Sequence, residues 1–220
     1  MPTSDMSAAR RNMVDSQLKP NKVVDARVLA AMATVPRERF APAALQGVAY
    51  SDEDIPLGQG RYLIEPMVLA RLLQAAEIAG GEKVLALGAG TGYGAAVMAR
   101  LAARVVALES DAALAGRARG LLGELGCSNV AVVGGALEAG CAAEAPYDVI
   151  VLEGAVESLP EALPRQLAPG GRLVGVMRRA GIGKATLCTR LDDGRIAERI
   201  LFDAATPCLP GFVRPAQFVF

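Results

Sequence analysis

The chain has 220 residues, 52% hydrophobic, 21% charged and 4% aromatic, enough apolar material for a sizeable core in one soluble domain. Lys plus Arg and Asp plus Glu each number 23, so there is no global electrostatic footprint for nucleic acid or an anionic membrane. Histidine is absent, which excludes Ser/His and Cys/His nucleophilic systems, His-ligated metals and an imidazole pH switch.

In chain order, the first sixty residues read as a helical and loop appendage to a single domain spanning 1–220. Asp5 is placed to cap a helix with Met6, Ala9, Met13 and Val14 on one face, and Asp25 another with Val28, Leu29 and Met32. Pro36, Pro42, Pro56, Gly58 and Gly60 then predict an irregular surface stretch running to Tyr62. Nothing from Met1 to Lys19 resembles the apolar run of a signal peptide, and no stretch of eighteen apolar residues follows. Cys127, Cys141, Cys188 and Cys208 stand far apart without CxxC spacing, so they read as core thiols of a reducing compartment rather than metal or redox ligands. The cytoplasm is the expected location.

Pro66 suits a first helical turn, and Leu69, Leu72, Leu73 and Ala76 follow at helical spacing, with Gly80 and Gly81 as the expected stop. Short aliphatic runs then recur at Val84–Leu87, Val105–Leu108, Val130–Val133, Val149–Leu152 and Leu173–Val176, as buried parallel strands do. Helix-like stretches separate them. Asp111 is placed to cap one carrying Leu114, Ala118, Leu121 and Leu125 before Gly126, and Ser158 and Pro160 to open one holding Leu163 and Leu167. The alternation predicts an α/β fold with a doubly wound, mostly parallel sheet of seven strands. The exception is the end, where residues 185–191, the turn Asp192-Asp193-Gly194 and residues 196–202 predict an antiparallel hairpin.

The most informative stretch is Val84-Leu85-Ala86-Leu87-Gly88-Ala89-Gly90-Thr91-Gly92-Tyr93, a buried strand running into alternating glycines and an Ala-rich helix. Such glycines allow a tight turn and let a ligand approach bare backbone whose N–H groups favour negative charge. Glu109, at the end of the next strand, is placed to accept hydrogen bonds from both hydroxyls of a ribose. A dinucleotide fingerprint counted from Gly88 meets the bulky Tyr93 where Gly or Ala is required. Counted from Gly90 it fits nominally through Gly92 and Ala95, but starts two residues late, so a nicotinamide oxidoreductase is the weaker reading. Gly88, Gly90 and Gly92 instead resemble the GxGxG loop of S-adenosylmethionine-dependent methyltransferases.

Further landmarks extend the resemblance to the protein-L-isoaspartate O-methyltransferase family. They are Pro36-Arg37-Glu38-Arg39-Phe40, Ala49-Tyr50-Ser51-Asp52, Ile55-Pro56-Leu57-Gly58, Ala145-Pro146-Tyr147-Asp148, Pro169-Gly170-Gly171-Arg172 and Pro207-Cys208-Leu209-Pro210-Gly211. The resemblance implies a Rossmann-like methyltransferase fold, S-adenosyl-L-methionine as cofactor and an isoaspartyl-containing protein or peptide as partner. It implies cofactor contacts at Gly88, Ala89, Gly90, Thr91, Gly92, Glu109, Ser110, Gly135 and Ala136, with an adenosyl group settled against the bare main chain of the three loop glycines.

The chain departs from the family pattern at polar positions. A family loop similar to Gly-x-Gly-Gln-Thr-Ile-Ser-Gln-Pro is Gly58-Gln59-Gly60-Arg61-Tyr62-Leu63-Ile64-Glu65-Pro66 here, so Ile64 stands at the serine position. Ala86 replaces an acid on the first strand, and Gly134-Gly135-Ala136 replaces a Gly-Asp-Gly. Tyr62 and Glu153 are the candidate polar substitutes at the transfer site, and Arg61 reads equally as a surface cation or a carboxylate clamp. Alternatives within the family are a module that kept the fold without the chemistry and an enzyme with a changed methyl acceptor.

Overall fold

The computed structural model describes residues 3–213. Its first helix, α1, spans Thr3–Met13 and continues as a π-helical turn over Val14–Leu18. It opens at Thr3, so Asp5 stands inside the first turn rather than at the cap, and its side chain lies outside the described residues. Helix α2 (Ala26–Thr34) is capped as expected, with Asp25 accepting from the amides of Arg27 at 2.8 Å and Val28 at 3.2 Å.

The stretch up to Tyr62 is more ordered than its prolines and glycines predict. It holds 3-10 turns at Arg37–Phe40 and Ala43–Val48 and a two-stranded hairpin, β1 (Ile55–Gly58) and β2 (Arg61–Leu63). Arg37, Phe40, Arg61 and Ile64 are buried in it. Helix α3 (Pro66–Ala76) begins at its proline but ends before Gly80, because Glu77 adopts the left-handed conformation at φ 48°.

All five aliphatic runs are strands: β3 (Lys83–Leu87), β4 (Arg104–Glu109), β5 (Val130–Gly134), β6 (Tyr147–Val156) and β7 (Leu167–Arg179). Helix α4 (Tyr93–Met98) follows β3, and α5 (Ala112–Glu124) follows β4 with Asp111 as its cap. Two expected helices are reduced. Only 3-10 turns join β5 to β6, and α6 is four residues, Ala162–Arg165. Pro164 brings no N–H to a longer helix, and Leu167 belongs to β7, paired with Tyr147. Strands β8 (Ile182–Arg190) and β9 (Ile196–Asp203) are the terminal antiparallel hairpin.

Among the described residues, these strands form one sheet in the order β5-β4-β3-β6-β7-β8-β9, parallel from β5 to β7. Alternate side chains divide between two apolar clusters, as the period of a strand requires. Val84, Ala86, Val105, Ala107, Val149 and Val151 face the N-terminal helices, while Leu85, Leu87, Val106, Leu108, Ile150 and Leu152 face Leu163, Leu209 and Phe212. Both faces are covered, which is why the strands read as continuous aliphatic runs. Chain order reverses between β3 and β6, and ligands of open α/β sheets bind outside the carboxyl ends at such a point.

Candidate functional site

The register fixes what stands at that rim. Leu87 pairs with Leu108 on one side and Leu152 on the other, so the next residue of each strand, Gly88, Glu109 and Glu153, forms one row. Two carboxylates therefore flank the first glycine of the turn. The turn is tight because Gly88, Gly90 and Gly92 take φ of 79°, 55° and 95°, where a Cβ is strained. Its amides are not bare. Gly88 and Ala89 donate to the Leu108 carbonyl at 2.9 and 3.0 Å, Gly90 to Glu109 Oε2 at 2.6 Å, and Gly92 to the Ala89 carbonyl at 2.8 Å. Thr91 is buried and its hydroxyl donates to the Phe40 carbonyl at 2.7 Å, pinning the N-terminal segment to the turn.

Glu109 is fully buried and saturated by the chain itself. Besides Gly90 it accepts from the amides of Ser110 at 2.8 Å and Asp111 at 3.1 Å and from the Ser110 hydroxyl at 3.3 Å. Across the rim comes Arg61, 2% exposed, whose Nε donates to the two carboxylate oxygens at 3.3 and 3.2 Å and whose Nη2 donates to the Gly88 carbonyl. Arg61 is thus a carboxylate clamp, and the carboxylate it clamps belongs to its own chain. The alternation of β2 is the overlooked signal, since Arg61 and Leu63 share the inward face and half-buried Tyr62 the other.

Glu153 is also buried, under α4. A Cβ at Gly94 would lie 2.6 Å from its Oε1, an oxygen without a hydrogen-bond partner among the described residues. Burial, reinforced by the charge of Glu109 and opposed by that of Arg61, pushes its pKa up to about 8. Ile64 is buried too, and its carbonyl accepts from Arg37 Nη2 at 2.9 Å while Arg37 Nε donates to Ala49 at 2.7 Å. Gly135 and Ala136 are exposed beyond β5, where the Gly135 amide donates to the Glu109 carbonyl at 3.2 Å.

An adenosyl group tests this geometry directly. The donor set suits it, with an acid at the end of β4 beside a glycine turn. The space does not. A Cβ added at Gly88 would lie 2.7 Å from Arg61 Nη2 and 2.9 Å from Leu209 Cδ2, and one at Gly90 would lie 2.8 Å from Leu57 Cδ1. The ground above the first two glycines is therefore filled by Arg61, Leu57 and Leu209, contrary to the expectation of bare main chain. In this conformation the side-chain ends of Arg61, Leu57 and Leu209 occupy that ground and have to move before the cofactor can sit there.

The comparisons place the chain nonetheless. The family model described as Protein-L-isoaspartate(D-aspartate) O-methyltransferase (PCMT) matches residues 8–205. A protein-L-isoaspartate O-methyltransferase of Koribacter versatilis is 46% identical over 165 residues, covering 75% of this chain and 74% of the relative. One of Marinobacter nauticus is 42% identical over 190 residues, 86% of this chain and 87% of the relative. Among solved structures, a protein-L-isoaspartate O-methyltransferase superposes with a TM-score of 0.80 at 26% identity, covering 92% of this chain and 66% of that protein. A Plasmodium falciparum protein described as a candidate member, in complex with S-adenosyl-L-homocysteine, superposes at 0.77 with 20% identity over 93% and 97% of the two chains and shares the fold. With nine-tenths of its length matched by the family model and a solved member superposing on 92% of it, the chain belongs to the protein-L-isoaspartate(D-aspartate) O-methyltransferase family.

Proposed function

We propose that the protein is an S-adenosylmethionine-dependent methyltransferase that methylates the free carboxylate of L-isoaspartyl residues in damaged proteins. The family match over residues 8–205 carries this reading. A chain without histidine is chemically competent for it. A carboxylate with an ordinary pKa of about 4 arrives ionised, so no general base has to remove a proton. What the protein must supply is alignment and exclusion of water, and positioning alone is worth about 7–11 kcal/mol. Glu153, in the rim row, and Tyr62, on the outer face of β2, are the polar groups we propose for the role that the aliphatic Ile64 cannot fill. Four free cysteines, at positions 127, 141, 188 and 208, fit a reducing cytoplasm.

The filled rim favours a second reading, a family member that keeps the fold without transferring methyl groups. Incubation with labelled S-adenosylmethionine and an isoaspartyl peptide, beside its normal aspartyl twin, separates the two. The first reading predicts label in the isoaspartyl peptide alone. Incorporation no greater than with boiled protein overturns it, and saturable cofactor binding without transfer to either peptide points to a different acceptor.

A further inference from the structure

We propose that Arg61 is an internal plug of the cofactor cleft: with Leu57 and Leu209 it fills the ground above the glycine turn and holds Glu109, and the cofactor enters only when the β1–β2 hairpin withdraws. The inference rests on the methyltransferase reading for the identity of the ligand, and it concerns what stands in that ligand's way.

Three observations carry it. First, Arg61 meets both surfaces that an adenosyl group would use, the Glu109 carboxylate and the backbone of Gly88. The competition is therefore for the same hydrogen bonds as well as for space. Second, the plug is assembled from two sides that are held differently. Leu209 is fixed to the sheet, its amide donating to Ala155 at 2.8 Å while the Ala155 amide donates to Pro207 at 2.9 Å. Among the described residues the hairpin instead pairs only with itself, over four and three residues, and two-stranded ribbons of that size are marginal alone.

Third, the hairpin is built to pivot at its base. Asp54 accepts from the Glu65 amide at 2.9 Å and the Thr206 hydroxyl at 3.3 Å, and Arg37 holds the Ile64 carbonyl, so both feet are anchored. Between them the tip, Gly58-Gln59-Gly60, has three consecutive residues at φ of 94°, 53° and 69° and is exposed. A Cβ at Gly60 would meet Pro210 Cγ at 3.6 Å, so the tip meets the segment carrying Leu209 there in van der Waals contact. Swinging the tip away removes Leu57 and Arg61 together and returns Glu109, still held by its three amides, to a ligand with two vicinal hydroxyls.

Calorimetric titration with S-adenosylhomocysteine tests the plug, comparing the wild-type chain with Arg61→Gln, which removes the cation and keeps a polar side chain. The proposal predicts binding at least tenfold tighter in the variant. Equal or weaker binding in the variant overturns it, and if the wild type then binds tightly the cofactor assignment survives alone. Binding to neither protein at millimolar ligand overturns both. Should Arg61→Gln fail to fold, Leu57→Ala leaves the ion pair intact and removes the apolar half of the plug: tighter binding than wild type supports the proposal, and unchanged binding overturns it.

Discussion

At the rim of the sheet β4 and β6 carry the same side chain in the same row, Glu109 as the last residue of β4 and Glu153 within β6, and treat it in opposite ways. Glu109 is surrounded by donors, three backbone amides, a hydroxyl and the Arg61 guanidinium. Glu153, one strand beyond Gly88, has an oxygen with no hydrogen-bond partner among the described residues and a pKa raised to about 8 by burial. An acid in this row is thus not one kind of residue. The turn after β4 curls its amides back onto Glu109, whereas Glu153 lies in the stretch where β6 loses register with β7 and is pressed against α4. The first is an acid built into the turn by its donors, and the second is an acid whose burial favours the protonated form.

The largest effect that would break the comparison is on stability. Arg61→Ala leaves Glu109 buried and short of its cation, and removing one partner of a buried pair typically costs about 3–5 kcal/mol. Equilibrium urea unfolding measures it, and a loss below about 1 kcal/mol, the ordinary worth of an exposed pair, would show that Glu109 is already satisfied by its amides.

The second effect is a pH dependence. Glu153 holds its proton in the folded chain up to about pH 8 and releases it in the unfolded chain near 4.5, so between those values the folded state binds more protons. Stability falls as pH rises through that window, by up to about 1.4 kcal/mol per pH unit, and levels above it. Glu153→Gln should flatten the slope, checked by denaturant titration at several pH values. An unchanged slope would mean that the group is ionised when folded.

A smaller effect sharpens the contrast from the β4 side. Asp111→Ala removes the cap that accepts from the Leu114 amide at 2.8 Å and should cost about 1 kcal/mol of stability. Because Asp111 reaches Glu109 through its backbone amide, the Arg61 pair should survive the change, and the cost of Arg61→Ala should be the same in either background. A double-mutant cycle with a coupling above about 0.5 kcal/mol would contradict that independence.

The scaffold was legible in the sequence because its signals are local. Each aliphatic run is short and bounded, and all five are strands; the caps at Asp25 and Asp111 and the proline start of α3 are likewise read from neighbouring residues. Where a local signal met a tertiary demand, the latter won, as at Leu167, which continues no helix because β6 takes it as a strand partner. The glycine turn and Glu109 were legible for the same local reason. Their occupant was not, because Arg61 and Glu109 are 48 residues apart and Leu209 comes from the other end of the chain. Composition and spacing say that a rim can receive a ligand; only packing says that a side chain of the same molecule stands there.

A crystal structure of the protein soaked with S-adenosylhomocysteine tests the central claim most directly. The account predicts the Arg61 guanidinium displaced from Glu109, the hairpin tip swung off the glycine turn, and the ribose hydroxyls on the freed carboxylate. A ligand seated on the turn with the Arg61–Glu109 pair still closed would contradict it.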